Sequence, residues 1–318
     1  MIYFGRSCIV LSFAASCCAQ PSSGVIRIWG STQMLALVEK WERAFSKHRP
    51  DVRFENHLYG AASAIAGLYT GVADIVFSRE IWPIETLAFQ QVLGYEPEAV
   101  EVATGSFDVP TKSDSLDIFV HKDNPISGLT LAQLGLIFAS HGVSCWGDLG
   151  LKGEWTGAGI NTYGYKLDNA GMMLFASIVM KDGATWNGNV RAFGNRTEPG
   201  KARVDAGTLI LDALAKDEYG IAISNAHYAR PEVKMLPIAK DSSGPNVLPS
   251  RETVRNRTYP LTRRVYAFLR RSPDPKVREF LRYILSRDGQ EDVVEEGDYL
   301  PLMGVHRAFR IAVLASVH

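Results

Sequence analysis

Hydrophobic and polar positions follow two different periods in the first quarter of the chain. Residues 25–29 have the composition of a strand, and after the turn Gly30-Ser31-Thr32 the apolar residues recur at the spacing of an amphipathic helix. A second strand follows, then a small-residue helix at 61–69 and a third strand at 74–77. This β-α-β-α-β order is typical of a parallel sheet covered by helices, so the sequence predicts an α/β fold.

The element order changes after this first unit, which indicates a second lobe inserted into the first. A Pro/Ser/Asp-rich connection covers 108–115, and a polar connection with Pro and Gly covers 241–259. We expect the chain to cross between the lobes at these two connections, as a hinge that closes on a ligand. The predicted units are residues 24–108 with 259–305 for lobe 1, 115–241 for lobe 2, and 306–318 for a C-terminal tail.

The first residues, 1–19, have the pattern of an export signal. Arg6 supplies a positive charge, residues 9–15 are apolar, and small residues follow up to Ala19, as at a signal-peptidase site. We expect cleavage near Ala19 and a periplasmic or exported protein. The alternative is that these residues form a buried N-terminal strand. The linker-like stretch that directly follows residue 19 argues against this alternative. The sequence before Cys17 loosely resembles a lipoprotein signal, so a lipid anchor at Cys17 is the alternative to plain cleavage.

Composition and motifs exclude several classes of function. Lys plus Arg and Asp plus Glu both number 34, so the chain as a whole has no electrostatic attraction to nucleic acid. Cys145 is the single cysteine after the predicted signal, and no CxxC or HExxH motif indicates a zinc site. The nucleophile elbow Gly-x-Ser-x-Gly is also absent. We therefore expect no metal, no cofactor and no catalysis.

Hydroxyl-bearing and small residues stand where the predicted strands end. Ser31 and Thr32 follow the first strand, Tyr59 to Ser63 the second, and Ser78 the third. In an open α/β sheet, ligands bind beyond the carboxyl ends of the strands. Helix N-termini with hydroxyl groups bind anions there, although each such residue taken singly is also an ordinary helix cap. Their recurrence favours an anion site, to which Asn169-Ala170-Gly171 supplies a helix start from the second lobe.

An ordered set of short motifs runs along nearly the whole mature chain. They are Gly30-Ser31-Thr32, residues 59–63, residues 71–75 with Ser78-Arg79, residues 124–130, residues 259–263, residues 285–290 and residues 299–302. Each motif alone is weakly specific. Taken in this order, they resemble the phosphate-type periplasmic solute-binding proteins of ABC uptake systems.

The resemblance implies a two-lobed Venus-flytrap fold, in which each lobe is an open, mostly parallel sheet flanked by helices. It also implies a monomer that captures a small oxyanion, with phosphate as the first expectation, and delivers it to an ABC-type membrane permease. The ligand-binding residues carried over by position, with the candidates beside them, are Ser31, Thr32, Tyr59, Gly60, Ser63, Ser78, Arg79, Lys166, Asn169, Ala170 and Gly171.

The second-lobe motif departs from the family pattern. The family has Ser-Gly-Thr preceded by an arginine, whereas this chain has Asn169-Ala170-Gly171 preceded by Tyr163 to Lys166. Because an arginine and two hydroxyls are missing, we expect a larger and less cationic site that binds phosphate more weakly or prefers a bulkier or less charged ligand. Lys166 lies near the vacated position. Arg79, either a cleft cation or a solvated loop residue, is the other candidate to replace the arginine.

Two other functions stay open on the sequence alone. A related binding lobe used for sensing or adhesion, with a ligand other than phosphate, needs no transport partner. A phosphate-ester hydrolase needs a metal or an activated nucleophile, which the motifs of this chain do not supply.

Overall fold

The computed structural model describes residues 24–61, 63–110, 112, 114–180 and 184–304. The predicted signal 1–19, with Cys17, and the predicted tail 306–318 lie outside the described residues. No helix in the described part of the chain is long and apolar enough to cross a membrane.

Strands and helices alternate along most of the described chain. The strands are β1 (Val25–Gly30), β2 (Arg53–His57), β3 (Ile75–Ser78), β4 (Glu98–Ala103), β5 (Asp117–His121), β6 (Leu129–Thr130), β7 (Asn161–Tyr165), β8 (Arg191–Phe193), β9 (Gly220–Ser224), β10 (Val233–Met235), β11 (Ile238–Ala239) and β12 (Val265–Leu269). The α-helices are α1 (Leu35–His48), α2 (Ala64–Tyr69), α3 (Pro83–Leu93), α4 (Leu131–Phe138), α5 (Ala170–Val179), α6 (Ala206–Leu214), α7 (Arg251–Arg255), α8 (Pro275–Ile284) and α9 (Arg287–Glu296).

The first lobe is built on a five-stranded sheet in the order β2-β1-β3-β12-β4. β1 is parallel to both β2 and β3, whereas β12 is antiparallel to β3 and β4. Successive residues of a strand point to opposite faces, and in β3 Phe77 packs with α1, α8 and α9 while Val76 packs with α2 and α3. Both faces of the sheet are therefore covered, which confirms the predicted α/β arrangement of this lobe.

The second lobe has its own five-stranded sheet in the order β10-β5-β9-β7-β8, with a short β11-β6 pair. β7 is parallel to β8 and β9, and β5 is antiparallel to β9 and β10. Its buried aromatic residues include Phe138 of α4, Phe175 of α5, and Trp146, whose indole N–H donates to the carbonyl of Tyr219 at 3.0 Å. The fold is thus a mixed α/β structure with two separate sheets and two cores.

Two segments of backbone cross between the lobes side by side. Ser115 and Thr262 form an antiparallel bridge. The N–H of Leu116 donates to the carbonyl of Leu261 at 3.0 Å, and the N–H of Arg263 donates to the carbonyl of Asp114 at 2.7 Å. The crossings are therefore a hydrogen-bonded two-stranded ribbon.

The polar stretch before the second crossing packs with the second lobe. It contains α7, which Ser250 caps by accepting a hydrogen bond from the N–H of Thr253 at 3.1 Å. Val254, Tyr259 and Leu261 are buried in the second-lobe core. A five-residue helix with one buried apolar side chain is too short to give a helical period, so the sequence predicted only a loop here. The division of the chain into 24–108 with 259–305 and 115–241 stays a prediction.

Candidate functional site

A cleft of about 590 Å³ lies between the lobes, beyond the carboxyl ends of β1 and β3. The first lobe lines it with the turns after β1, β2 and β3, and the second lobe with the start of α5. Of the residues predicted from the sequence, Ser31, Thr32, Gly60, Ser78, Arg79, Asn169 and Ala170 line this cleft. The structure therefore brings hydroxyls, a guanidinium and a helix start into one space.

Backbone contacts fix the first-lobe turns against one another. A Cβ at Gly30 would lie 2.1 Å from the carbonyl oxygen of Phe77, so only glycine allows the turn after β1 to approach β3 this closely. The N–H of Ser31 donates to that same oxygen at 3.0 Å, and the N–H of Gly60 donates to the carbonyl of Gly30 at 3.1 Å. The turns therefore hold their polar groups in set positions.

The Ser31 side chain has a donor to spare. Ser31 Oγ accepts a hydrogen bond from the N–H of Gln33 at 3.3 Å and so caps the 3₁₀ turn Thr32–Met34. Accepting this bond leaves the hydroxyl hydrogen available, because a serine hydroxyl donates one bond and accepts up to two. Capping and ligand binding are therefore compatible at this residue.

Arg79 is the buried cation of the cleft. Arg79 is only 6% exposed, and its Nε–H donates to Asp114 Oδ1. Ser106 Oγ donates to the other Asp114 oxygen at 2.9 Å. Nη2 of Arg79 is buried and has no hydrogen-bond partner among the described residues. A buried N–H of a charged group that lacks a partner costs about 1–3 kcal/mol.

The charges around Arg79 are set by burial and by its partner. Burial is the largest single influence and works against the charged form of Arg79, but Asp114, Tyr299 and Glu80 together outweigh it, and the pKa of Arg79 is raised. Burial likewise works against the charge on Asp114, yet Arg79 holds the pKa of Asp114 below its ordinary value. Both groups are therefore ionised at neutral pH, and the cleft contains a fixed positive charge.

Arg263 is a second buried guanidinium in the lining. Its Nε–H donates to Glu80 at 3.1 Å, and burial, the largest influence, lowers its pKa. The cleft also contains the carboxyl groups of Glu80, Glu85 and Asp168. Burial raises the pKa of Glu85, whose side chain accepts the N–H of Trp82 at 2.8 Å. The wall thus mixes donors with acceptors and is not uniformly cationic.

The second lobe meets the cleft with the first turn of α5. Asn169 Oδ1 accepts a hydrogen bond from the N–H of Gly171 at 2.8 Å, so this side chain caps its own helix. Its amide nitrogen remains as a donor, because a side-chain amide carries a donor and an acceptor group. Asn169 and Ala170 are exposed, whereas Gly171 is buried and does not line the cleft.

Lys166 lies in a neighbouring compartment of about 500 Å³. This compartment shares Gln33, Asp168 and Asn169 with the cleft, and its other cations are Lys112 and Arg203. The Lys166 side chain passes close to Gly194. Lys166 is exposed and lies outside the lining that contains Arg79.

Two further predicted residues lie at the periphery. Tyr59 is 79% exposed and packs its ring against His57, with ring centres 5.9 Å apart. Ser63 is exposed and makes no side-chain cap to α2. Neither residue lines the cleft or the compartment beside it.

Several lining residues were not picked out from the sequence. Arg263 of the lining, and Asp114, which holds Arg79 from behind the lining, stand on the two crossing segments, where the sequence indicated a hinge and no charge function. Glu80 and Gln33 directly follow predicted site residues, and adjacency to Arg79 and Thr32 was the available signal. Within the described residues, no group of three or more His, Cys, Asp or Glu side chains is arranged to hold a metal ion.

Comparisons with known proteins identify the family of the chain. A family model described as a PBP superfamily domain matches residues 18–288. The phosphate-binding protein PstS of Pseudomonas aeruginosa is 32% identical over 292 residues, which is 88% of this chain and 84% of that protein. Protein SphX of Synechococcus elongatus is 24% identical over 281 residues, 86% of this chain and 76% of the relative.

Solved structures show the same fold. PstS from Borrelia burgdorferi has a TM-score of 0.62 at 17% identity, covering 88% of this chain and 99% of that chain. An ABC-type phosphate transport receptor from Vibrio cholerae has a TM-score of 0.58 at 18% identity, covering 86% and 99%. The family-model match and the identity to the Pseudomonas protein do not favour the alternatives. These alternatives are a sensing or adhesion lobe and a phosphate-ester hydrolase. The chain belongs to the PstS-type family of phosphate-binding proteins within the PBP superfamily.

Proposed function

We propose that this protein is the exported receptor of a phosphate-uptake system: it closes its two lobes on one phosphate ion and delivers it to an ABC permease. It acts as a monomer and catalyses no reaction. The observation that carries the proposal is the unpaired Nη2 of Arg79, buried at the wall of a cleft that also contains Ser31, Thr32 and Ser78.

Arg79 takes the role of the missing second-lobe arginine. A guanidinium binds two oxygens of a phosphate with fixed geometry, and here its Nε is already held by Asp114, so Nη2 is directed by the protein. The hydroxyls of Ser31 and Ser78 supply single donors from the same lobe. Asn169 supplies an amide donor from the opposite lobe when the lobes close.

The carboxyl groups of the cleft favour phosphate over sulfate. Phosphate near neutral pH keeps at least one O–H, which a carboxylate accepts, whereas sulfate has no proton to donate. Asp168 is exposed, directly precedes the N-cap of α5, and forms no ion pair with a cation among the described residues. Facing sulfate, it would only repel the ligand.

The experiment is calorimetric titration of the mature protein with phosphate, sulfate, arsenate and molybdate. We expect one site per chain, phosphate binding and no heat from sulfate at the same concentration. Arg79→Lys keeps a positive charge beside Asp114 but loses Nη2, so it should weaken phosphate binding by about 1.5–3 kcal/mol. Arg264→Lys, an exposed arginine outside the cleft lining, is the matched control. Equal affinity of Arg79→Lys and the control would contradict the assignment of Arg79.

Export and the form of the mature N-terminus need a separate measurement. We propose cleavage near Ala19 without a lipid at Cys17. The mass of the protein released from the periplasm gives the mature N-terminus directly. A membrane-bound form that starts at Cys17 and carries acyl chains would show that lipidation occurs instead.

A further inference from the structure

A second pocket, of about 620 Å³, lies in the first lobe at the edge of the sheet opposite the cleft. Arg27 lies near the start of β1, Asp74 directly precedes β3, and Arg270 directly follows the antiparallel β12. The cleft residues Ser31 and Ser78 stand at the other ends of β1 and β3. The two spaces share no lining residue.

The acidic side chains of this pocket are each held by a cation of their own. Asp74 accepts three hydrogen bonds from Arg27: from its backbone N–H at 2.9 Å, from Nε at 3.0 Å and from Nη2 at 2.7 Å. Asp274 caps α8 by accepting the N–H of Lys276 at 3.0 Å, and Lys276 Nζ lies 2.8 Å from its other oxygen. Neither carboxylate therefore leaves net negative charge in the pocket.

Two adjacent arginines remain without such a partner. Nη2 of Arg270 is 3.9 Å from Asp74 Oδ1, beyond hydrogen-bond distance, and its side chain is 35% exposed. No carboxylate oxygen of the described residues lies within 4 Å of Arg271. Its guanidinium lies over the ring of Tyr95, 4.5 Å from the ring centre, which fixes its position by a cation–π contact.

The nearest other acid does not cancel these charges. Glu98, at the start of β4, interacts with both Arg271 and Arg278. Burial raises its pKa, and the two arginines only partly oppose that rise. One carboxyl group facing two guanidiniums leaves the local balance positive.

The turn after β12 brings both arginines to the same pocket. Neighbouring residues of a strand point to opposite faces, but the strand ends at Leu269. Ser272 has φ 53°, in the left-handed region, and Pro273 follows it, so the turn reverses sharply towards α8. Gly71 faces Arg270 across the pocket: its φ of 78° lies in the left-handed region that favours glycine, and a Cβ there would lie 3.4 Å from Nη1 of Arg270.

We propose that Arg270 and Arg271 form a second anion site, distinct from the cleft, which binds a phosphoryl group. Two guanidiniums side by side match the oxygens of a phosphoryl group better than a single cation does, and an aromatic ring holds one of them in place. The group belongs either to a free phosphate ion or to the headgroup of an anionic lipid, since both present the same oxygens.

The test is a site-resolved titration of the full mature protein with inorganic phosphate at constant ionic strength. Backbone amide NMR signals of Gly71 and Ser272 report on this pocket, and the signal of Gly60 reports on the cleft. We expect saturable shifts at Gly71 and Ser272 that follow a different binding curve from Gly60. Shifts at Gly71 and Ser272 that potassium chloride reproduces, or that never saturate, would overturn the proposal while leaving the cleft site untouched.

The matched variants carry the same change of charge. Arg270→Gln with Arg271→Gln should weaken binding at Gly71 and Ser272 at least about tenfold and leave the Gly60 curve within about twofold. The control is Arg43→Gln with Arg282→Gln, two exposed helical arginines outside the pocket. If the control weakens binding as much, the effect is net charge and the proposal is wrong.

Vesicles identify the source of the phosphoryl group. The protein is sedimented with phosphatidylcholine vesicles, with and without phosphatidic acid. Retention that needs phosphatidic acid and is lost in Arg270→Gln/Arg271→Gln assigns a lipid headgroup to the site. Saturable phosphate shifts without retention assign the free ion. If the protein shows no retention on the vesicles and no saturable phosphate shifts, the proposal is wrong.

Discussion

Arg79 and Asn169 face the same cleft from opposite lobes, and they are held in opposite ways. Arg79 is buried, ionised and fixed by a carboxylate that is itself buried, and its Nη2 has no partner among the described residues. Asn169 is exposed and uses its carbonyl oxygen on its own helix. One lobe therefore offers a preorganised charge, and the other offers a capped helix start with small side chains.

This difference indicates an order of events. A fixed, buried cation binds an anion without first rearranging, because its position is already determined by the protein. An exposed helix start contributes its donors only when the lobes approach each other. We expect the first lobe to supply most of the binding free energy in the open state, and the second lobe to add to it on closure.

The largest expected effect is the loss of stability when Arg79, the buried cation of the first lobe, loses the carboxylate that pairs with it. Asp114→Ala leaves the buried Arg79 without its partner, so unfolding free energy should fall by about 3–5 kcal/mol. Urea unfolding without phosphate measures this. Asp168→Ala, at an exposed carboxylate of the second-lobe face, should change stability by less than about 0.5 kcal/mol. Similar losses in the two variants would remove the contrast between the faces.

The next effect is on ligand binding by the first lobe. Ser31→Ala with Thr32→Ala should weaken phosphate binding by about 2–4 kcal/mol, since each lost hydrogen bond to a charged group contributes about 1.5–3 kcal/mol. Calorimetry measures the affinity. Ser63→Ala removes a hydroxyl that does not line the cleft and serves as the control. A double variant as tight as this control would move the site away from the turn after β1.

A third effect separates Asp114, on the first crossing, from Asp117, at the start of β5 just after it. Asp114 has Arg79 beside it, whereas the donors to Asp117 among the described residues are both neutral: Ser115 Oγ and the N–H of Ala226, the latter at 2.7 Å. Burial raises the pKa of Asp117 to about 7, from 3.8 in water. The folded protein thus binds this proton more tightly than the unfolded chain. Its contribution to stability is present below about pH 4 and is lost as pH rises towards 7.

The measurement for Asp117 is the unfolding free energy at several pH values. Between pH 6 and pH 8 this one group should lower the stability by about 1.4 kcal/mol. Asp117→Asn resembles the protonated acid and should remove that slope. A slope that is the same in the variant would mean that another group is responsible.

The smallest effect concerns the second-lobe helix cap. Asn169→Ala should destabilise the protein by about 1 kcal/mol, because the N–H of Gly171 loses its acceptor. Asn169→Ser, which also caps helices, should recover most of that loss. Thermal unfolding of the three proteins decides this. If Asn169→Ala is as stable as the original, the side chain is not acting as a cap in solution.

Local patterns in the sequence identified the main strands and helices and the hydroxyl residues at the strand ends. The strand before Gly30 and the helix through Phe45 are continuous periodic segments, and the hydroxyls after them stand at strand ends by position alone. These features depend on neighbours a few residues apart. They therefore show in a single sequence without any knowledge of tertiary contacts.

Long-range contacts account for what the sequence left open. Arg79 pairs with a residue 35 positions away, and the sequence alone left it either in the cleft or in solvent. Arg263 meets Glu80 across 183 positions. Lys166 was placed near the vacant arginine position by spacing, yet its side chain lies towards Gly194 in the neighbouring compartment. The direction of a side chain depends on packing, which spacing does not specify.

Asp114 belongs to two structures at once. Its carboxylate holds Arg79 in the cleft, and its carbonyl accepts the N–H of Arg263 across the ribbon between the lobes. A ligand that binds the Arg79 guanidinium acts on Asp114, because Asp114 binds the same group. A rotation of the ribbon between the lobes acts on Asp114 as well. Reciprocity follows from thermodynamics: whatever factor closure adds to the affinity for the anion, the anion adds to the population of closed molecules. A permease that recognises only closed molecules would then sense an occupied cleft without touching the ligand.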